Sequence, residues 1–299
     1  MLSSGPFATL ANRRRLLQRG AALSASAAAA ATATAGLAAT ARAQDAGASL
    51  LNRVLDRGNL IVGTGATNAP WHFEDETGTL IGMDIEMGRI LARALFEDPE
   101  AVEFLTQAAD ARIPNLLSDK TDIVIQFMSV TRDRAQLVNF TIPYYREAVT
   151  LLFLADSPFN TVADVQGQGI TVATLQNVYA EDLVHTGVPD AVVEQFDSIA
   201  NTILSLDAGR VDAALADYST ARWHTVDAPD RYKYPDDPWS THSYAAAVKP
   251  GDQTWLNFVN TVFHSAMTGL DFEFYKPAFE QFFGVALELP PPGFPTELS

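Results

Sequence analysis

Apolar and polar positions alternate with two periods along this chain, and the changes of period mark the predicted elements. Leu60-Ile61-Val62 is an unbroken apolar run after Arg57-Gly58 and reads as a short buried strand. After a turn at Glu76-Thr77-Gly78 the spacing lengthens. Met87, Ile90, Leu91, Ala94 and Leu95 share one face of a predicted helix from Asp84 to Phe96. The same order then recurs. Ile170-Thr171-Val172-Ala173 follows Gly167 and Gly169 as a second strand. Ile199, Ile203 and Leu206 predict a helix over 198–206, with Asp197 or Ser198 as its N-cap.

A smaller repeat sits inside the larger one. Leu116-Leu117-Ser118-Asp119-Lys120-Thr121-Asp122 leads into Ile123-Val124-Ile125, and Leu206-Asp207-Ala208-Gly209-Arg210-Val211-Asp212 leads into Ala213-Ala214-Leu215. Each reads as a helix end, a tight turn closed by aspartate, and a buried strand. Strands alternating with helices imply α/β units with mixed, mainly parallel sheets flanked by helices, and two such units imply two lobes.

The lobes join near Pro143-Tyr144-Tyr145, ahead of a strand through Val149-Thr150-Leu151-Leu152-Phe153. A second apolar stretch, Tyr244–Val248, follows the polar region 227–242. Two helices are predicted in the tail, through Trp255, Phe258, Val262 and Phe263 and then Phe272, Tyr275, Phe279 and Phe283, before Pro290-Pro291-Pro292 ends regular structure. The expected division is a leader over 1–43, the first part of lobe 1 over 44–148, lobe 2 over 149–244, and a return to lobe 1 with the tail over 245–299. If the tail packs on the first lobe, the chain crosses twice, making a two-stranded hinge with a ligand cleft beside it.

Composition changes this picture mainly at the N-terminus. Of 299 residues, 47% are hydrophobic, which excludes a disordered chain, and the 20 basic and 36 acidic side chains leave a net charge of −16. Residues 1–43 hold five arginines and no acid, so the rest carries −21, against a nucleic-acid partner. Arg13-Arg14-Arg15-Leu16-Leu17, an alanine-rich run and the small-x-small triplet Ala41-Arg42-Ala43 predict a twin-arginine export signal cleaved near Ala43, and a soluble periplasmic product. The other reading of the leader, an amphipathic or membrane-anchoring helix, is weakened by its weakly apolar alanines and the cleavage-like triplet that ends the run. With no cysteine there is no disulfide, thiolate metal site or cysteine nucleophile. The five histidines follow no metal-ligand spacing, and neither a Gly-x-Ser-x-Gly elbow nor a glycine-rich phosphate loop occurs, so no cofactor is implied.

An ordered set of motifs runs through nearly all of residues 50–285. They are Arg57-Gly58-Asn59-Leu60-Ile61-Val62-Gly63, Ala69-Pro70-Trp71, Gly82-Met83-Asp84-Ile85-Glu86, Arg112-Ile113-Pro114-Asn115-Leu116 and Ser129-Val130-Thr131-Arg132-Asp133-Arg134. Then follow Asn139-Phe140-Thr141-Ile142-Pro143-Tyr144-Tyr145, Val162-Ala163-Asp164-Val165-Gln166-Gly167 and Gly209–Asp217. In this order they resemble the periplasmic solute-binding proteins of ABC importers, in the subgroup that takes polar amino acids. The resemblance implies the two-lobed periplasmic-binding-protein fold, a monomer, an amino acid or similar small carboxylate as ligand, and an inner-membrane permease as partner. It also implies that Ser129 and Arg134 hold the α-carboxylate while Asp217 reaches the α-ammonium from the other lobe.

The chemistry of those residue types agrees. A guanidinium grips a carboxylate through two parallel bonds that lysine cannot reproduce, and Arg134 follows Thr131 at an expected helix start. A zwitterion held at one end by each lobe favours closure. Each residue has a plainer reading as well. Arg134 can pair with Asp133, Asp217 can cap a helix, and Ser129 can serve local backbone.

The chain departs from the resembled pattern in three places. Asn68 stands where relatives carry an aromatic, Gly65 where they often carry an acid, and Gln176-Asn177-Val178 where they have Gly-Thr-Thr. Asn177 can still donate. Trp71, Phe127 or Tyr145 can supply the missing wall, or belong to the core. Arg112 is a second candidate cleft cation, or a partner of Asp110; in the cleft it favours an acidic or amide ligand side chain over a basic one. Two other functions share the resemblance. One is a periplasmic dehydratase acting on prephenate or arogenate, with Glu181 among several candidate acids. The other is a ligand sensor docking on a membrane receptor.

Overall fold

The strand expected at Leu60 opens the first of the two larger sheets in the computed structural model, which describes residues 49–289; a small third sheet joins Thr67–Asn68, His72–Glu74 and Leu80–Ile81, and the predicted export leader lies outside the described residues. Leu60–Thr64 pairs in parallel with Val102–Thr106 on one side and Ile123–Val124 on the other. Ala247–Val248, returning from the far end of the chain, adds antiparallel to Ile123–Val124 and carries Asn139–Phe140 beyond it. The second sheet repeats the plan. Thr171–Leu175 lies in parallel between Val192–Phe196 and Ala213–Asp217, and the long strand Tyr145–Leu154 runs antiparallel to the latter. Each sheet is therefore parallel through its α/β units and antiparallel where the chain crosses between lobes.

The duplicated turns do the same work in both sheets. Asp119 and Gly209 occupy the left-handed region at φ 59° and 63°. Lys120 N donates to Asn115 O and Arg210 N to Ser205 O, each at 3.0 Å. Asp122 Oδ2 then accepts from Ile61 N, and Asp212 Oδ2 from Thr171 N, at 2.8 Å in each case. One carboxylate thus ties the start of a strand to its parallel neighbour, satisfying a backbone donor where the ladder begins.

The helix predicted from Asp84 spans Met83–Phe96 and buries Met87, Ile90 and Leu91. Its entry depends on Gly82, at φ 129°, where an added Cβ would lie 2.3 Å from Trp71 O. Gly82→Ala is expected to destabilise the protein by ~3 kcal/mol or more, because both the backbone conformation and the space exclude a side chain. Urea unfolding checks this. A second helix, Ile199–Asp207, has Ser198 as N-cap, its hydroxyl accepting from Asn201 N.

The tail helices Gln253–Thr268 and Phe272–Phe283 pack on the first lobe, where Trp255, Phe263, Phe282 and Phe283 join Leu60, Val62 and Leu91 in one core. Two smaller cores, one around Leu151 and Val172 and one around Leu152 and Ile203, belong to the second lobe. The chain crosses between lobes at Tyr144–Tyr145 and at Tyr244–Ala245. There Trp239–Tyr244 pairs antiparallel with Tyr145–Leu154, setting Tyr145 opposite Tyr244 and Glu147 opposite His242. Both lobes lie in one compact unit.

Candidate functional site

Beside the crossing strands lies a cavity of about 280 Å³ lined from both lobes. The first lobe contributes Arg112, Phe127, Ser129, Thr131 and Arg134. The second contributes Thr174, Asn177, Tyr179 and Asp217, with His242 and Tyr244 of the crossing strand as the floor.

Arg134 starts a single 3-10 turn, Arg134–Gln136, in place of the longer helix expected there, and its backbone N–H donates to Thr131 Oγ1. Its Nη1 donates to Ser129 O at 2.9 Å, and the guanidinium lies 5.6 Å from the Tyr179 ring centre. It forms no ion pair among the described residues, with Asp133 or any other acid. Burial lowers its pKa from the usual arginine value. Ser129 bridges Tyr244 through the backbone, so both lie where the two lobes join.

Arg112 is 4% exposed, and it forms no ion pair with Asp110. Its Nε donates to Ala109 O (2.6 Å), its Nη1 to Gln126 O (3.1 Å), and the Phe127 ring lies 5.4 Å beneath. Burial, and then repulsion from Arg134, pull its pKa down to about 9. Phe127 itself is held at φ 35°, an unusual conformation for a side chain of this size. Asp84 fixes it there. Its carboxylate accepts from Phe127 N (2.8 Å) and the Tyr144 hydroxyl (2.9 Å) and contacts His72 Nδ1 (2.8 Å).

Asp217 faces these arginines from the C-terminal end of strand Ala213–Asp217. It occupies the N-cap position of helix Tyr218–Asp227, yet its side chain makes no capping bond. Burial raises its pKa, while Tyr244, His242 and Arg112 draw it down. The buried Tyr244 hydroxyl interacts with Asp217 but falls short of full hydrogen-bond geometry. Glu147 lies just behind. Its carboxylate accepts from the Ser219 hydroxyl at 2.5 Å, and Ser219 in turn accepts from Trp71 Nε1 at 2.9 Å. Burial, and the neighbouring Asp217, push Glu147 up to about 8.

Three of the residues expected at the site have other duties. Trp71 is fully buried outside this cavity, edge-on to Tyr145, Tyr244 and Phe283 at 4.8–5.1 Å, because its ring fills the core beneath the crossing strands. Asn68 also lies outside it. Its Oδ1 accepts from Thr220 Oγ1 of the other lobe, and it borders a separate pocket of about 30 Å³. Asn177 lines the cavity, but its amide closes a local turn, donating to Leu175 O and accepting from Tyr179 N. Tyr179, His242 and Glu147 were missed from the sequence. Tyr179 donates to Asp133 Oδ2 at 2.7 Å, linking the two lobes at the mouth of the cavity.

Residues 60–273, well over half of the chain, match the family described as bacterial extracellular solute-binding proteins, family 3. The glutamine-binding protein of Geobacillus stearothermophilus is 28% identical over 200 residues, covering 67% of this chain and 76% of its own. The ABC transporter arginine-binding protein 1 of Escherichia coli (strain K12) is 26% identical over 204 residues, covering 66% and 81%. Among solved structures, the ancestral amino acid-binding protein AncCDT-1, a precursor of cyclohexadienyl dehydratase, superposes with a TM-score of 0.71 at 28% identity, covering 79% of this chain and all of the other. Arginine-binding protein from T. maritima in its holo form superposes with a TM-score of 0.65 at 29% identity, covering 78% and 99%. No helix among the described residues is long and apolar enough to cross a membrane. With one family match running through both sheets, and relatives of the same kind in sequence and in structure, the chain belongs to the bacterial extracellular solute-binding proteins of family 3.

Proposed function

We propose that this protein captures a free amino acid between its lobes and delivers it to an ABC-type permease in the inner membrane. The observation that carries the reading is that Arg134 of one lobe and Asp217 of the other line one cavity, neither with a committed ionic partner among the described residues. Arg134, with the Ser129 hydroxyl beside it, takes the α-carboxylate, and Asp217 takes the α-ammonium. The ligand then bridges the lobes and stabilises the closed form in proportion to its extra contacts there. The glutamine- and arginine-binding relatives support an amino acid as ligand.

Lobe 2 on this reading extends over 149–244, and the protein acts after export as a periplasmic monomer. It has no catalytic step and no nucleic-acid partner. The dehydratase reading has one feature in its favour, the raised pKa of Glu147, but Ser219 and Trp71 enclose that carboxyl, and the cavity lining does not include it. A thermal-shift screen against free amino acids, simple carboxylates and prephenate tests the proposal. A rise in Tm with at least one amino acid and no turnover of prephenate is the expected result. No response to any amino acid, or turnover of prephenate, overturns it.

The Tyr179–Asp133 contact adds a smaller effect. Tyr179→Phe removes one exposed bond between the lobes, so about 1 kcal/mol or less is lost from the closed form. The expected result is a ligand dissociation rate raised up to about five-fold, read by stopped-flow fluorescence, with the association rate little changed.

A further inference from the structure

We infer that the ligand carries a second carboxylate, held by Arg112, so that the protein selects an amino acid with an acidic side chain. This rests on the amino-acid reading above and narrows it. Arg112 and Arg134 both line the cavity, and neither guanidinium forms an ion pair among the described residues. Arg112 is the more deeply buried of the two. Its Nε and Nη1 are anchored on the carbonyls of Ala109 and Gln126, which fixes the plane of the fork and leaves Nη2 for the ligand.

Nearby acids do not neutralise it. Asp110 is exposed and forms no ion pair with it, Asp84 is committed to His72, Tyr144 and Phe127, and Asp182 lies at the exposed rim. Facing the ligand, the protein therefore presents two cations and the carboxylate of Asp217, the other acids bordering the cavities, Asp110, Asp133 and Asp182, being exposed to solvent. The complement is a molecule with two anionic groups and one cationic group, which describes an acidic amino acid. An amide side chain leaves a desolvated guanidinium unmatched, and a basic one adds a third cation to the same enclosure. The two arginines also repel each other, a strain that anionic groups between them would relieve.

Space agrees with this placement. Arg112 and Arg134 border both this cavity and a neighbouring one of about 480 Å³, so both forks stand where the two spaces meet.

Calorimetric titration of the full chain with L-glutamate, L-aspartate, L-glutamine, L-asparagine and L-arginine is the test. At least one acidic amino acid is expected to bind ten-fold or more tightly than its own amide and than arginine. An amide or arginine binding as tightly as either acid overturns the inference while leaving the amino-acid reading intact. Binding of none of them, together with a negative thermal-shift screen, overturns both. Arg112→Gln adds a second arm. Affinity for the acid should fall 100-fold or more and for the amide less than ten-fold; equal losses count against the assignment. Should this variant fail to fold, by circular dichroism, the wild-type panel still decides.

Discussion

Arg134→Lys is expected to weaken amino-acid binding by about 100-fold or more, with little change in thermal unfolding. Truncating one partner of a desolvated charge pair costs about 2–5 kcal/mol, and each 1.4 kcal/mol is a factor of ten. Lysine keeps the charge, so simple electrostatics predicts a small loss. The fork predicts a large one, because a single ammonium cannot hold both carboxylate oxygens and also keep the Nη1 bond to Ser129 O that orients the group. The side chain is only half-buried and has no ion pair among the described residues, so the fold does not depend on it. Calorimetry on the variant and a parallel melting curve separate the two effects. Unchanged affinity removes Arg134 from the site.

The order of lobes was legible because it follows period and turn chemistry. The aspartates at 122 and 212 are the best example. Their spacing from the preceding helix and the following strand is local, and each proves to tie two neighbouring strands. The expectation for Arg134 and Asp217 rests on motif order, and the structure shows neither an Arg134–Asp133 pair nor a capping bond from Asp217. Asp133 bonds to Tyr179.

What the sequence hid depends on pairings between distant segments. Trp71 follows Ala69-Pro70 in a polar neighbourhood, and only the packing of the crossing strands makes it core. Asn68 looked like a departure at the ligand, but it faces Thr220 across the lobes. Glu147 carries a signal in the sequence. It shares a strand face with Tyr145 and Val149, and an acid among inward apolar positions at a period of two requires a partner. That partner, Ser219, lies 72 residues away. His242 is visible only once the strand register is known.

Asp217→Asn should discriminate between ligands by their nitrogen. Affinity for an amino acid is expected to fall about 30-fold or more, and that for the matching 2-hydroxy acid, which lacks the ammonium, by less than three-fold. The pH dependence should change as well. Glu147 in the folded protein titrates near 8, well above an unfolded carboxyl at about 4.5, so between those values the folded state retains a proton that the unfolded state has lost. Its contribution to stability therefore falls as pH rises through that window. An ammonium arriving at Asp217 favours the ionised form of the Asp217–Glu147 pair, so binding expels a proton and affinity rises with pH toward 8, at most ten-fold per unit. Asparagine at 217 takes away the like charge that helps raise Glu147, and the proton release should shrink. Titrations in two buffers of different ionisation enthalpy count the protons directly. Equal losses for amino acid and hydroxy acid, with proton release unchanged, would separate Asp217 from the ammonium.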